Sequence, residues 1–153
     1  MISLLKWWLI FCLTLLGVGT LVYFDIHRQI YDADITKLSF LIMSIFFITS
    51  IWIGNKTYKL EKFDEYDQDT SVGWFIAESC LALGMVGTVT GFLLMLGTAF
   101  SNIDVSNSAS LQKALEFMAV GMSTALYTTL VGLICSLIIK VQLVNLEVAI
   151  NEP

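Results

Sequence analysis

The sequence predicts an all-α integral membrane protein, a four-helix bundle that forms a single membrane domain over residues 1–153. Hydrophobic residues make up 57% of the chain and charged residues 14%, whereas soluble domains are about 45–50% apolar and about 25% charged. Four long apolar runs have the roughly 20 residues that a helix needs to cross a bilayer. The predicted spans are 4–24, 38–54, 72–100 and 111–140. Their continuous apolar character excludes a closed barrel, whose strands alternate over about 10 residues.

The residues after the fourth span keep helical spacing. Val141, Val144 and Val148 recur on one side, so a cytoplasmic helical extension is predicted over 141–150. A helix with that much apolar surface in water needs partners. Self-association around an axis would supply them.

The basic residues place both termini in the cytoplasm. With the N-terminus inside, five lysines lie inside and three basic residues lie outside, which is a modest positive-inside bias. The inner residues are Lys6, Lys56, Lys59, Lys62 and Lys140, and the outer ones are Arg28, Lys37 and Lys113. The charged connection 55–71 between the second and third spans is predicted to be a loop. Its acidic stretch, 64–69, is interpreted as solvated, with a docking surface as the alternative.

Composition and residue types exclude several classes of function. The net charge of −5 and the lack of a basic patch argue against nucleic-acid binding. The three cysteines lie inside the apolar runs, where buried thiols usually serve packing. No nucleophile–base set or metal-ligand cluster is visible, so neither an enzyme nor a bound metal or cofactor is expected.

The third and fourth spans are rich in small residues at four-residue spacing, which lets helix backbones approach closely in lipid. The predicted helix-packing residues are Gly84, Gly87, Gly91, Gly121, Ala125 and Gly132. The first two spans are bulky and are predicted to face lipid. The third and fourth helices are therefore expected to line the interior of an oligomer.

Hydroxyl side chains also concentrate in these two spans. Thr124 and Thr128 share one helical stripe, and Thr129 lies about 100° around from it. Measured along each helix from the cytoplasmic end of its span, Thr88 and Thr124 lie at a depth of about 24 Å and Thr128 at a depth of about 18 Å. Hydroxyls can bind water, a protonated carboxyl group or a hard cation. The alternative is that each simply bonds the carbonyl four residues back.

Acidic and basic residues are missing from the middle of every span. Glu78 and Glu116 lie near the starts of the third and fourth spans, where they are candidates for pore-mouth charges. A conducting protein usually needs an ionisable group inside the membrane. If this chain conducts, another chain is expected to supply that group.

Two segments carry a family resemblance. The stretch LGMVGTVTG at 83–91 and the stretch GMSTALYTTLVGL at 121–133 resemble the signature of the MotA/TolQ/ExbB proton channel family. The likeness covers about 60 residues, from Glu78 to Lys140. Either segment alone is a weak signal, but the pair has the right order and separation.

The resemblance implies an ion-channel subunit of a rotary motor in the bacterial inner membrane. Members form a homopentamer around a dimer of a single-span MotB/TolR/ExbD-like partner, which supplies a mid-membrane aspartate. Proton flow, or alternatively sodium flow, drives rotation that does mechanical work. Carried over by position, Thr88 and Thr129 match the family's threonines, and Thr128 matches a further threonine of sodium-type flagellar stators. These three and Thr124 are the candidate ion-pathway residues.

The chain departs from the family pattern in three places. Thr124 stands where ExbB-like members have glutamate, and the proline after the second segment is absent. The connection between the second and third spans is about 17 residues, whereas flagellar stators carry a large cytoplasmic domain there. The chain therefore resembles a minimal four-span motor subunit, with the coupling ion and the driven process left open.

Two other functions stay open beside the motor. A small four-helix membrane transporter would generally need a membrane-embedded carboxylate. A non-conducting membrane assembly protein would explain the glycine faces but not the threonines at matched depth.

Overall fold

The computed structural model describes residues 2–23, 37–63, 69–101 and 108–151. The described residues are almost entirely helical and contain no strand, which confirms the predicted all-α fold. The helices are α1 (Ile2–Tyr23), α2 (Leu38–Phe63), α3 (Ser71–Ser101) and α4 (Ser108–Asn151). Each contains a segment long and apolar enough to cross a membrane. Which part of each helix lies in the bilayer stays a prediction.

The antiparallel pair α3 and α4 is the centre of the fold and has the most extensive contact between helices. A Cβ added to Gly84 would lie 3.3 Å from Gly132 Cα, and one added to Gly91 would lie 3.4 Å from Ala125 Cβ. Near one end Gly73 faces Leu143, and near the other Gly121 faces Met95. Small residues thus allow a close approach of the two helices over about six turns of α3.

Helix α2 corrects two predictions made from the sequence. It continues to Phe63, so residues 55–63 are helical where a loop was predicted. Residues 64–68 of that predicted loop lie outside the described residues. The reason is a buried stripe at helical spacing, Ile53, Thr57 and Leu60, which packs while the lysines point outward. Ile42 is also fully buried, so α2 presents one face to the bundle and not only to lipid.

A buried polar pair joins α2 to α4. Ser50 donates its hydroxyl to Gln142 Oε1 at 3.0 Å, and Gln142 Nε2 reaches Ser50 Oγ at 2.9 Å. Both side chains are fully buried, and the apolar core around them includes Ile53, Ile139 and Leu143. Burying polar groups costs little only when they bond each other, so this pair fixes the axial position of α2 against α4.

Helix α1 lies at the edge of the bundle and is largely exposed. Trp7 packs its ring onto Gly54 of α2. At the start of α1, Leu4 N–H and the Ser3 hydroxyl donate to Glu61 Oε1 at 2.9 and 2.7 Å. A carboxylate of α2 therefore caps the N-terminus of α1.

Candidate functional site

The functional residues predicted from the sequence meet where α3 and α4 cross at close range. Glycines on α3 leave room for side chains of α4, so the two helices approach closely. At this close contact Thr88 of α3 lies at the same level as Thr129 of α4. Their Oγ1 atoms lie 2.7 Å apart. We call these two residues the hydroxyl pair.

Backbone carbonyl groups complete the surroundings of the hydroxyl pair. Thr88 donates to Gly84 O at 3.1 Å, and Thr129 donates to Gly84 O at 3.2 Å and to Ala125 O at 3.0 Å. Bonds to the carbonyl four residues back are ordinary for threonine in helices. The bonds from Thr129 to Thr88 and to Gly84 are not of that kind, because they cross from one helix to the other.

The hydrogen count limits what the hydroxyl pair can bind. Each threonine has one hydroxyl hydrogen and two lone pairs. In one arrangement the Thr88 hydroxyl donates to Thr129 Oγ1, and the Thr129 hydroxyl donates to Ala125 O. In the other arrangement the Thr129 hydroxyl donates to Thr88 Oγ1, and the Thr88 hydroxyl donates to Gly84 O. Both hydrogens are used inside the protein in either case, while lone pairs remain on both oxygens. The pair therefore offers acceptors, which suit a proton donor or a cation.

Thr128 lies in a different environment from the hydroxyl pair. It is fully buried, and its Cγ2 would lie 2.5 Å from a Cβ added to Gly87. The absence of a side chain at Gly87 is what admits Thr128 to the helix contact. Thr88 and Thr129 are only partly buried, so they and Thr128 differ in their access to a ligand.

All six predicted helix-packing residues lie at the α3–α4 contact. The tightest approach to backbone atoms is at Gly132, where an added Cβ would lie 2.8 Å from Cys80 O and 2.9 Å from Gly84 Cα. Both of those atoms belong to the backbone. A side chain at Gly132 would therefore push the helices apart.

The remaining predicted residues lie away from the hydroxyl pair. Glu78 is exposed on α3. Glu116 is exposed on α4 in the wall of an open groove, together with Lys113 and Phe117. The side chain of Thr124 lies outside the described residues.

The contact between helix ends corrects the depth estimated for Thr88. Gly73 faces Leu143, so the first turn of α3 runs beside the extension of α4. Lys140 precedes Leu143 by three residues, and the two helices are antiparallel. The part of α3 beside Lys140 therefore lies three residues after Gly73. Measured from that level, Thr88 is about 18 Å up and Thr129 about 17 Å up, which is why their side chains meet.

A hydrogen-bonded carboxylate near these helix ends was missed by the sequence reading. Glu147 Oε1 accepts from the Thr70 hydroxyl at 2.7 Å and from Trp74 Nε1 at 2.6 Å. The bonds join the start of α3 to the last turns of α4 and hold the two helices in register. The sequence did show a carboxylate, Glu147, within the apolar extension, which indicates a polar contact there. It could not show the partners, because they are more than 70 residues away along the chain.

Taken together, the fold and the site define a multi-pass membrane protein with a hydroxyl site between its two most closely packed helices. Neither helix carries an Asp, Glu, His, Lys or Arg from residue 79 to 101 or from 117 to 139. The chain belongs to the MotA/TolQ/ExbB proton channel family, whose sequence profile matches residues 59–151. That range covers well over half of the chain and includes the end of α2, all of α3 and all of α4. The expected family membership is confirmed.

The family is one of channels and not of enzymes. The matched region contains the hydroxyl pair and every predicted helix-packing residue. No curated protein and no solved structure matches the chain significantly.

Proposed function

We propose that this chain is the ring-forming subunit of an ion-driven rotary motor. In this proposal five copies surround a dimer of a single-span MotB/TolR/ExbD-like partner in the bacterial inner membrane, with the chain termini in the cytoplasm. Proton flow, or alternatively sodium flow, turns one component against the other. Membership of the proton channel family supports the class of function, and the hydroxyl pair supports the mechanism.

The single observation that carries the proposal is the contact of Thr88 with Thr129 across α3 and α4. Conduction through a bilayer needs polar groups at depth, and α3 and α4 offer hydroxyls and carbonyls there without any fixed charge. The acceptors of the hydroxyl pair suit a protonated carboxyl group, which an aspartate on the partner would present after taking up a proton. A cation would meet the same oxygens, because hydroxyl and carbonyl oxygens are also its preferred ligands.

The charges at the helix ends fit the mouths of such a pathway. Glu78 and Glu116 are exposed and lie about 15 Å or more from the hydroxyl pair along their helices, on opposite sides of it. In the proposal they attract cations to the two entrances. The short connection between α2 and α3 leaves the partner, or another cytoplasmic protein, to transmit the work.

Ion flux into liposomes tests the proposal. The chain is co-expressed with a single-span protein of the MotB/TolR/ExbD type that carries an aspartate early in its span, and the purified complex is reconstituted. Native mass spectrometry should give five copies of this chain and two of the partner. An interior pH dye should report proton entry under an imposed potential, and a sodium dye should report sodium entry if sodium is the ion.

Variants at the hydroxyl pair provide the control. Thr88→Val and Thr129→Val complexes should assemble in the same 5:2 ratio and lose flux of the coupling ion. A complex that contains two copies of this chain and no partner would contradict the motor. Loss of assembly in both variants would instead assign these residues to packing.

A further inference from the structure

The exposed side of α2 changes from apolar to basic along its length. The residues Ile48, Ile51, Asn55, Lys59 and Lys62 follow one another at steps of three or four, so they lie on one side of the helix. Ile48 and Ile51 are 70% and 60% exposed, and Lys59 and Lys62 are exposed as well. The side of α2 that faces away from the bundle therefore continues directly from apolar side chains to lysines.

Aromatic rings accompany the lysines at this end of α2. The Lys62 ammonium donates to the Tyr58 hydroxyl at 2.6 Å, and it lies 5.1 Å from the centre of the Tyr58 ring and 5.6 Å from that of Phe63. The Lys56 ammonium lies 4.3 Å from the centre of the Trp52 ring. Side chains with an apolar body and a polar tip are typical of the boundary between a bilayer and water.

The described carboxylates at this end of the bundle accept hydrogen bonds from other parts of the chain. Glu61 caps the start of α1, and Glu147 joins the start of α3 to the end of α4. Asp69 accepts from Ser71 N–H at 2.9 Å, and its carbonyl oxygen accepts from Lys56. Asp69 therefore offsets the charge of Lys56.

Lys59 and Lys62 form no ion pair with a carboxylate of the described residues. We call these two lysines, together with Tyr58, the lysine face. An ammonium group has three donors; Lys62 uses one of them on Tyr58, and Lys59 uses none within the part of the chain that the structure describes. The remaining donors and the positive charge suit the oxygens of a phosphate group.

We propose that the lysine face binds the phosphate headgroups of anionic phospholipids at the cytoplasmic end of α2. Lipid is the occupant because the lysines continue the side of α2 that carries Ile48 and Ile51, and because the rings of Tyr58 and Phe63 lie beside them. A headgroup at the lysines would place its acyl chains along those isoleucines. The inference does not depend on the proposed function, since it concerns α2 and not the contact of α3 with α4.

Quenching of tryptophan fluorescence tests this surface. The chain, in its purified membrane complex, is reconstituted into phosphatidylcholine vesicles. A fixed fraction of the lipid is replaced by brominated phosphatidylglycerol or, in parallel, by brominated phosphatidylcholine. Bromine quenches a tryptophan that the lipid contacts, and Trp52 lies about two turns from Lys59. Phosphatidylglycerol should associate at least about threefold more strongly than phosphatidylcholine. This preference should fall towards onefold in 1 M salt, where the screening length is about 3 Å.

A matched pair of double variants assigns the preference to the lysine face. Lys59→Gln combined with Lys62→Gln should remove it. Lys37→Gln combined with Lys113→Gln removes the same charge at the starts of α2 and α4, the opposite ends of these helices, and should leave it unchanged. Thermal unfolding should be the same in both double variants, which shows that the loss of preference is not a loss of fold.

The outcomes separate this inference from the proposed function. Equal association of the two lipids with the unaltered chain would overturn the lysine face, with the acidic residues at 64, 65 and 67 neutralising it. A preference that survives in K59Q/K62Q would also overturn it, as would a soluble acidic protein bound there in place of lipid. A complex that conducts ions without a lipid preference would leave the motor standing. A lysine-dependent preference in a complex without ion flux would support the lysine face and remove the motor.

Discussion

The Thr88 hydroxyl on α3 lies 2.7 Å from the Thr129 hydroxyl on α4, and both oxygens reach the carbonyl of Gly84. This hydroxyl pair is a polar contact between the two helices in the middle of the family-matched region. Because each hydrogen is used within the pair and its carbonyls, the two threonines act as one acceptor site. Removing either hydroxyl changes the site as a whole.

Valine substitutions should therefore be non-additive. Thr88→Val or Thr129→Val is expected to reduce ion flux at least about tenfold, and the double variant should be no worse, because residues that share one network do not act independently. Stability should fall by only about 0.5–1.5 kcal/mol, the net value of one hydrogen bond. Thr90→Val is the matched control, since among the described residues Thr90 bonds only Val86 O of its own helix. Normal flux in T88V or T129V would remove the hydroxyl pair from the pathway.

Gly132→Ala tests the close approach of α3 and α4. The added methyl would meet Cys80 O at 2.8 Å, and backbone cannot move aside as a flexible side chain can. We expect a loss of about 1–3 kcal/mol, typical of overpacking, measured by thermal unfolding in detergent. Gly87→Leu should be more severe and should also disrupt assembly. Gly97→Ala is the control, because no described atom lies within 4 Å of its added Cβ; equal stability of G132A and G97A would contradict the close contact.

Glu147 is expected to act through its acceptor oxygen. Glu147→Gln keeps an oxygen for the Thr70 hydroxyl and Trp74 Nε1, so it should remain near wild-type stability. Glu147→Ala leaves the half-buried indole N–H without its partner and should cost about 1–3 kcal/mol. Hydrogen exchange of the first turn of α3, followed by mass spectrometry, should rise in E147A only. Identical exchange in E147A and E147Q would mean that the carboxylate does not hold the helix ends together.

The Ser50–Gln142 pair provides a test of how α2 is attached. Ser50→Ala and Gln142→Leu should each destabilise the protein by about 1–3 kcal/mol, because each leaves a buried polar partner unsatisfied. The double variant should cost less than the sum of the two, with a coupling of about 0.5 kcal/mol or more. Thermal unfolding of the four proteins gives this double-mutant cycle. Strict additivity would show that the two side chains do not interact.

The sequence reading was most accurate where one physical signal decides the structure. Long apolar runs predicted the four helices, and small residues at four-residue spacing pointed to the surface along which α3 meets α4. It was wrong at the end of α2, because the lysines at positions 56, 59 and 62 were interpreted as a loop. Charge composition alone does not end a helix when residues between the charges, such as Thr57 and Leu60, are buried.

The polar contacts between distant segments were beyond the sequence reading. Ser50 and Gln142 are 92 positions apart, and Trp74 and Glu147 are 73 apart. No local period relates such pairs. Their partners depend on how far one helix slides along another, which is a property of the packed bundle.

By itself the sequence determined that this is an all-helical membrane chain of the MotA/TolQ/ExbB family, because apolar run length and two glycine–threonine segments are local features. It also indicated that Thr88 and Thr129 lie at similar depth. Only the tertiary structure decided that their hydroxyls bond each other while Thr128 is buried against Gly87. The physical reason is the axial register of α3 and α4, which is set where glycine admits backbone contact. A shift of one residue turns a helical side chain by about 100° and would separate the hydroxyl pair.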